Sequence, residues 1–213
     1  MIANVDAICI GQPAPFNGAE LSAIGKAPVT GPVEIRTFGI VGDIQADTKN
    51  HGGPEMAVHH YPHEHYGWWA DHLGGHELLA AAPAFGENLV VSGMSEDDVH
   101  IGDRFRLGSA LLEISQPRQP CWKIEHRFAR KGMVKAILQS HRCGWYYRVI
   151  EEGEASAGDR LERVSTGDRQ WSVARVFAKV LDPETAASKT EMAQIAAIET
   201  LCPRWRGKAA DAA

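Results

Sequence analysis

Paired cysteines are missing from this chain. Its four cysteines, Cys9, Cys121, Cys143 and Cys202, are widely separated and form no C-x-x-C pair, which argues against a zinc ribbon and a secreted disulfide scaffold. No apolar run reaches the length of a membrane span, and residues 1–7 carry no basic targeting region. The expectation is a soluble, cytoplasmic protein. Excess positive charge is missing too. The net charge is -5 and the pI about 6.0, so no global basic field recruits nucleic acid, and a bound anion needs a local basic patch. There is no GxxxxGK[ST] loop, no GxSxG elbow, no HExxH, no ferredoxin-type cysteine set, and no flavin or nicotinamide fingerprint. Histidines cluster at His59, His60, His63 and His65, but Pro62 separates His59 from His63 and the ligand spacing of a zinc site is absent.

What is present is ordinary globular material. Of 213 residues, 44% are hydrophobic and 23% charged, enough to bury a core without disulfide staples. The length suits one sizeable domain with an appendage, or two small domains. Glycine and proline punctuate the first two-thirds closely and keep elements short. Alternation predicts strands over 5–10, 33–38, 57–61, 87–91, 100–108, 110–115, 144–150 and 158–164. Short strands at this spacing suggest a closed or partly closed barrel. Helices are predicted over 62–73, starting at Pro62 with Tyr66, Trp69 and Leu73 as a core stripe, over 77–82, and as a pair over 126–139 broken at Gly132. Composition changes near 165–168. Beyond it, 171–181 and 190–201 have helical periodicity, with Asp182-Pro183 as a cap and first turn and a fraying tail from Lys208. The expected fold is mainly β, a barrel over 1–167 with a small all-α extension over 168–213.

Three segments carry candidate chemistry. In Ser115-Gln116-Pro117-Arg118-Gln119-Pro120-Cys121-Trp122-Lys123, prolines rule out helix or central strand and leave a stiff loop after a strand. Arg118 and Lys123 favour a Cys121 thiolate, although a small buried thiol fits the local sequence equally well. Residues 42–54 form a long polar, glycine-rich stretch with Lys49, His51, Gly52 and Gly53. Its backbone amides would suit an anion, and a solvated connecting loop is the competing reading. In Phe85-Gly86-Glu87-Asn88, Asn88 offers donors and acceptors and Glu87 a transferable proton, or the segment is a turn into a strand.

Together, His51-Gly52-Gly53-Pro54 with Ala57-Val58-His59, Phe85-Gly86-Glu87-Asn88 with Ile101-Gly102-Asp103, and Pro117-Arg118-Gln119-Pro120-Cys121 resemble a MOSC domain. This module is related to the C-terminal domain of molybdenum-cofactor sulfurases. Gly42-Asp43-Ile44-Gln45-Ala46-Asp47 and Gly144-Trp145-Tyr146-Tyr147-Arg148-Val149 extend the similarity to the YiiM-type branch, which carries a C-terminal three-helix extension. The resemblance implies a β-barrel with peripheral helices and a molybdenum cofactor, a metal held by a pterin dithiolene. Cys121 would be the metal's protein ligand. It implies reduction of N-hydroxylated compounds such as 6-N-hydroxylaminopurine, a detoxification of base analogues. Pyridoxal phosphate binding is a lesser association.

On that basis Lys49 and Arg118 are assigned to the pterin phosphate, with the amides of His51 to Gly53 completing the cradle. His59 and Asn88 would orient pterin or substrate, and His51 or Glu87 would supply the proton for water loss. Electrons must come from a separate redox protein, since no redox fingerprint is present. The helical appendage offers a surface for docking that donor or for a homodimer. The alternative is a sulfur-carrier or cofactor-handling module using Cys121 as a persulfide or transient ligand.

Overall fold

The structure, a computed structural model, describes residues 1–47, 51–185 and 187–213. Strand β1 (Ile2–Ile10) leads into the hairpin β2 (Ala14–Asn17) and β3 (Glu20–Ser22), then the short strands β4 (Ala27–Pro28), β5 (Val33–Arg36) and β6 (Gly39–Ile40). There follow β7 (Val58–Pro62), α1 (His65–Leu73), β8 (Leu89–Ser92), β9 (Arg104–Leu107) and β10 (Ala110–Pro117). Next come α2 (Trp122–Arg127), α3 (Met133–Ser140), β11 (Trp145–Glu151), β12 (Gly153–Ala155) and β13 (Arg160–Ser165). Helices α4 (Val173–Leu181), α5 (Lys189–Ala196) and α6 (Pro203–Asp211) end the chain.

Seven strands close into a barrel in the order β1-β13-β9-β10-β11-β7-β8, with β8 returning to β1. Closure depends on β1, which pairs antiparallel with β13 at Ile2↔Glu162 and with β8 at Ile8↔Leu89. Its first half alternates, with Ala3 and Val5 buried and Ile2, Asn4 and Asp6 exposed. A bulge between Val5 and Ala7 then re-aims the strand, so that Ile8 and Cys9 are both buried. The pair β7–β8 is parallel, and the crossover between them contains α1. Phe105, Leu107, Leu112, Ile114, Trp145, Tyr147 and Leu161 belong to the buried core. All eight residues of β10 are buried, because β10 also packs against α4 and β12.

The C-terminal helices share this core. Phe177 of α4 and Trp205 and Ala209 of α6 are fully buried in the same cluster. Backbone bonds stitch the junction: Ile101 N–H to the Trp171 carbonyl (3.1 Å), Val173 N–H to Val99 (2.9 Å) and Cys202 N–H to Ser115 (2.9 Å). Arg148 on β11 is the main side-chain tie. It donates to Glu113 Oε1 (2.7 Å), Glu55 Oε2 (2.9 Å) and the Thr200 carbonyl (2.8 Å). Among the described residues, no helix is long and apolar enough to cross a membrane.

Several boundaries differ from expectation. Pro62 closes β7 instead of opening a helix, and α1 starts at His65. Tyr66 and Trp69 are buried as expected, and Leu73 packs against the core. The stretch predicted helical over 77–82 is a single tight turn, Glu77–Leu79. Strand β10 runs on to Pro117, paired with Trp145 at the last rung, where a missing N–H costs the ladder least. Helix α2 begins at Trp122 rather than His126, and Gly132 separates it from α3. Asp182 follows α4 and caps a turn rather than a helix, its Oδ1 accepting the Glu184 N–H (2.9 Å); α5 is started by Ser188 and Glu191 in a reciprocal capping box. The tail does not fray at Lys208, since α6 continues to Asp211 and Ala209 is buried.

Arg148→Ala leaves Glu113, only 3% exposed, with Arg104 as its remaining partner at 2.7 Å. The expected loss is about 3 kcal/mol in urea unfolding, with amide exchange rising first in α6. An unchanged midpoint would contradict this role.

Candidate functional site

The site forms where strand ends and loops meet at one side of the barrel. β7 delivers His59, the turn entering β8 delivers Gly86 and Asn88, and the segment after β3 delivers Lys26. The loop after β6 brings Asp43, and the exit from β10 brings Arg118 and Cys121. Together they line a cleft of about 720 Å³. A second cleft of about 960 Å³, called the outer cleft, adjoins this first, inner one, and His51, Cys121, Lys123 and Tyr146 are among the residues that line both. Cys121 is extended (φ -135°, ψ 164°) and immediately precedes α2, so the stiff loop expected from its prolines is present. Gly144 allows the close approach behind it. At φ +68° a Cβ there would meet the His60 carbonyl at 2.4 Å, and the Gly144 carbonyl accepts the Arg118 N–H (3.0 Å).

Asn88 is a structural hub. Its Oδ1 accepts the His59 N–H (3.0 Å), and its Nδ2 donates to the Cys9 carbonyl (3.0 Å) and Asp43 Oδ2 (2.9 Å). Asp43 also accepts the Gly11 N–H (2.7 Å) and forms a short ion pair with Lys26. Asn88 therefore aligns β1, β7 and the Asp43–Lys26 pair. Arg118 is 6% exposed, and Nη2 donates to the Phe85 carbonyl (3.3 Å). Its Nη1 is buried without a hydrogen-bond partner, as is Nε2 of His59. Burial, with the Arg118 charge behind it, pushes the His59 imidazole well below its usual range and keeps it neutral.

Three expected residues sit elsewhere. Glu87 is fully buried and does not line either cleft. Its carboxylate accepts from the Phe85 N–H (2.7 Å), the Ala84 N–H (3.2 Å) and, at short range, the Tyr66 hydroxyl. It ties the turn before Asn88 and offers no proton to the cleft. Gly52 and Gly53 are also outside both linings. The His51 N–H is bonded to the Asp47 carbonyl (2.9 Å), so that amide is not free to cradle an anion. Lys49 lies outside the described residues. The sequence reading missed Lys26, whose surroundings carry no motif, and gave Asp43 and Tyr146 no role of their own. A charged residue's proximity across the barrel leaves no local signal.

Electrostatics single out Cys121. Burial raises its thiol, but the hydrogen bond with His51, the charges of Arg118 and His51, and the Lys123 N–H outweigh burial and lower its pKa below the usual thiol value. The His51 imidazole is raised in turn, chiefly by that same bond, with burial opposing and Asp47 (Nδ1 to Oδ2, 3.2 Å) assisting. The other thiols move the opposite way: burial pushes Cys9 to about 12, Cys202 to about 11, and Cys143 upward. Among the described residues no cluster of three or more His, Cys, Asp or Glu could enclose a metal. A metal here must bring most of its own ligands, leaving Cys121 as the single soft protein donor.

Iodoacetamide at neutral pH should therefore alkylate Cys121 alone. A depressed pKa means more thiolate at lower pH, so the rate profile should rise below that of an ordinary thiol. His51→Ala should move it upward. Equal labelling of Cys9 and Cys121, read by peptide mass mapping, would contradict the account.

Comparison with known proteins agrees with this geometry. The model of the MOSC domain family matches residues 47–162. "Uncharacterized protein YflK" of Bacillus subtilis (strain 168) is 41% identical over 196 residues, covering 92% of this chain and 86% of that protein. A protein named "Reductase" from Gibberella moniliformis is 39% identical over 162 residues, 76% of this chain but only 29% of that one. The crystal structure of YiiM from Geobacillus stearothermophilus superposes with a TM-score of 0.82 at 31% identity, covering 98% of each chain. Matched by the family model over more than half its length and 41% identical to a relative over 92% of it, the chain belongs to the MOSC domain family.

Proposed function

We propose that this protein is a molybdenum-cofactor-dependent reductase of N-hydroxylated compounds such as 6-N-hydroxylaminopurine. The observation that carries the reading is one thiol, pKa lowered, on the wall between two clefts, the inner of which holds a buried cation with an unpaired nitrogen. The residues present fit the cofactor. Its phosphate needs donors, and Arg118 Nη1 and Lys26 supply them within one cleft. Its metal needs a soft ligand beyond its own sulfurs, and Cys121 is one.

When bound, the cofactor supplies two-electron chemistry at molybdenum. This chain's residues bind, orient and protonate. Asn88, through Asp43, fixes Lys26 at the inner cleft. His59, neutral, keeps Nε2 available as an acceptor or donor toward the pterin or substrate. The net reaction is R–NHOH + 2 H⁺ + 2 e⁻ → R–NH₂ + H₂O. Breaking the N–O bond requires protonation of the leaving oxygen. His51 is the group for it: it lines both clefts, Asp47 holds its Nδ1 (3.2 Å), and its hydrogen bond with Cys121 places its proton beside the thiol. The electrons come from a separate redox protein, because the chain carries no flavin, nicotinamide or iron–sulfur fingerprint.

Protein made in a cofactor-competent host should contain stoichiometric molybdenum. It should convert 6-N-hydroxylaminopurine to adenine with a reduced viologen as electron donor. Cys121→Ser should lose turnover and most of its molybdenum. His51→Gln should retain the metal and lose about 100-fold or more in kcat. Equal molybdenum in wild type and Cys121→Ser would remove the thiolate from the ligand set. Labile sulfur on Cys121 without molybdenum would replace the reductase by sulfur carriage, and turnover with NADPH alone would remove the partner protein.

A further inference from the structure

The outer cleft has no task in the account above beyond sharing His51 and Cys121 with the inner one. Its own residues specify a ligand. It adds Trp122, Glu20 and Arg204, the last from α6 of the C-terminal extension. It is an open cleft of ligand-pocket size, able to admit one heterocycle with a sugar and a phosphate. Trp122 is 44% exposed, so part of its indole is open on the cleft wall. It packs on Phe16 at a centroid distance of 6.0 Å and a tilt of 52°. An exposed indole of this kind is a stacking surface for a flat base.

The charges sort into used and unused. Lys123 is paired with Glu20 at 3.0 Å, and His51 with Asp47 at 3.2 Å. Arg204 is exposed and makes no side-chain hydrogen bond or ion pair among the described residues. An unpaired guanidinium on the wall of a base-sized cleft is suited to bidentate recognition of a phosphate. The two clefts also differ in exchange. Of the cations of the inner one, Arg118 is buried and Lys26 half-buried, which suits a resident group, whereas Trp122 and Arg204 are exposed and suit a ligand that comes and goes.

We infer that the outer cleft takes its substrate as a purine nucleoside monophosphate, the base against Trp122 and the phosphate on Arg204. The helical extension thereby supplies a specificity-determining residue to a site otherwise built by the barrel. The inference rests on the reductase reading for the N-hydroxylated character of the ligand. Nucleotide binding itself does not require it.

Calorimetric titration of the protein with adenine, adenosine, adenosine monophosphate and inorganic phosphate tests this without turnover. Adenosine monophosphate should bind about 10-fold or more tighter than adenosine, and inorganic phosphate weakly. Arg204→Gln should erase the difference between nucleotide and nucleoside and leave adenosine unchanged. Trp122→Ala should weaken both. In the loaded enzyme, Arg204→Gln should raise KM about 10-fold for the N-hydroxylated nucleotide, with kcat unchanged and the free base unaffected. Equal affinities for nucleoside and nucleotide, phosphate binding as tight as nucleotide binding, or an Arg204→Gln variant like wild type would each overturn the inference. If reduction of the free base proceeds while the nucleotide gains nothing, this inference fails and the reductase reading stands. If the titration pattern holds but no N-hydroxylated compound is reduced, the reverse is true.

Discussion

A buried arginine with one unsatisfied nitrogen sets the terms of this structure. Arg118 sits at the exit of β10 with its amide on the Gly144 carbonyl and Nη2 on the Phe85 carbonyl. Leaving a guanidinium nitrogen inside a protein without a partner costs free energy, and folds rarely tolerate it unless something else binds there. Here the surroundings add cost: His59 is held neutral partly by the same charge, and Lys26 stands in the same cleft. The arrangement makes sense as a cradle for an anion. It also bears on the neighbouring thiol, because the Arg118 charge, after the His51 hydrogen bond, helps to lower the Cys121 pKa against burial.

The rest of the fold serves to hold that charge and that thiol at fixed positions. The barrel closes through β1, whose end feeds the Cys9 carbonyl to Asn88. Asn88 locks β7 and Asp43, and Glu87 ties the turn that precedes it. Arg148 and the Cys202 amide fasten the helical extension to β10 and β11, the two strands that position the Cys121 loop. The extension is therefore coupled mechanically to the site through the strand that carries it, and Arg204 reaches the outer cleft directly.

Much of this was legible in the sequence, for identifiable reasons. Period-two alternation marked most barrel strands, and the prolines around Arg118 and Gln119 marked a stiff loop holding Cys121. Chain order does not report what happens across the barrel. Lys26 has no motif around it, yet the fold brings it to Asp43 and Arg118. Glu87 looks like an acid in its motif, but its carboxylate is consumed by two backbone amides and a phenol. The glycines at 52 and 53 signal an anion loop, while the neighbouring His51 amide is spent on Asp47. Local pattern gave Pro62 to a helix because proline suits a first turn, whereas the parallel pairing of β7 with β8 claimed it for the strand. Tertiary pairing overrode local preference there, as it did at Pro117.

The central claim is that the Cys121 thiolate binds molybdenum directly while Arg118 and Lys26 hold the cofactor that carries it. X-ray absorption at the molybdenum edge, on wild-type protein and on Cys121→Ser, tests that bond most directly. The account predicts one fewer sulfur neighbour at the metal in the variant, with whatever molybdenum it retains. The same sulfur shell in both proteins would contradict it.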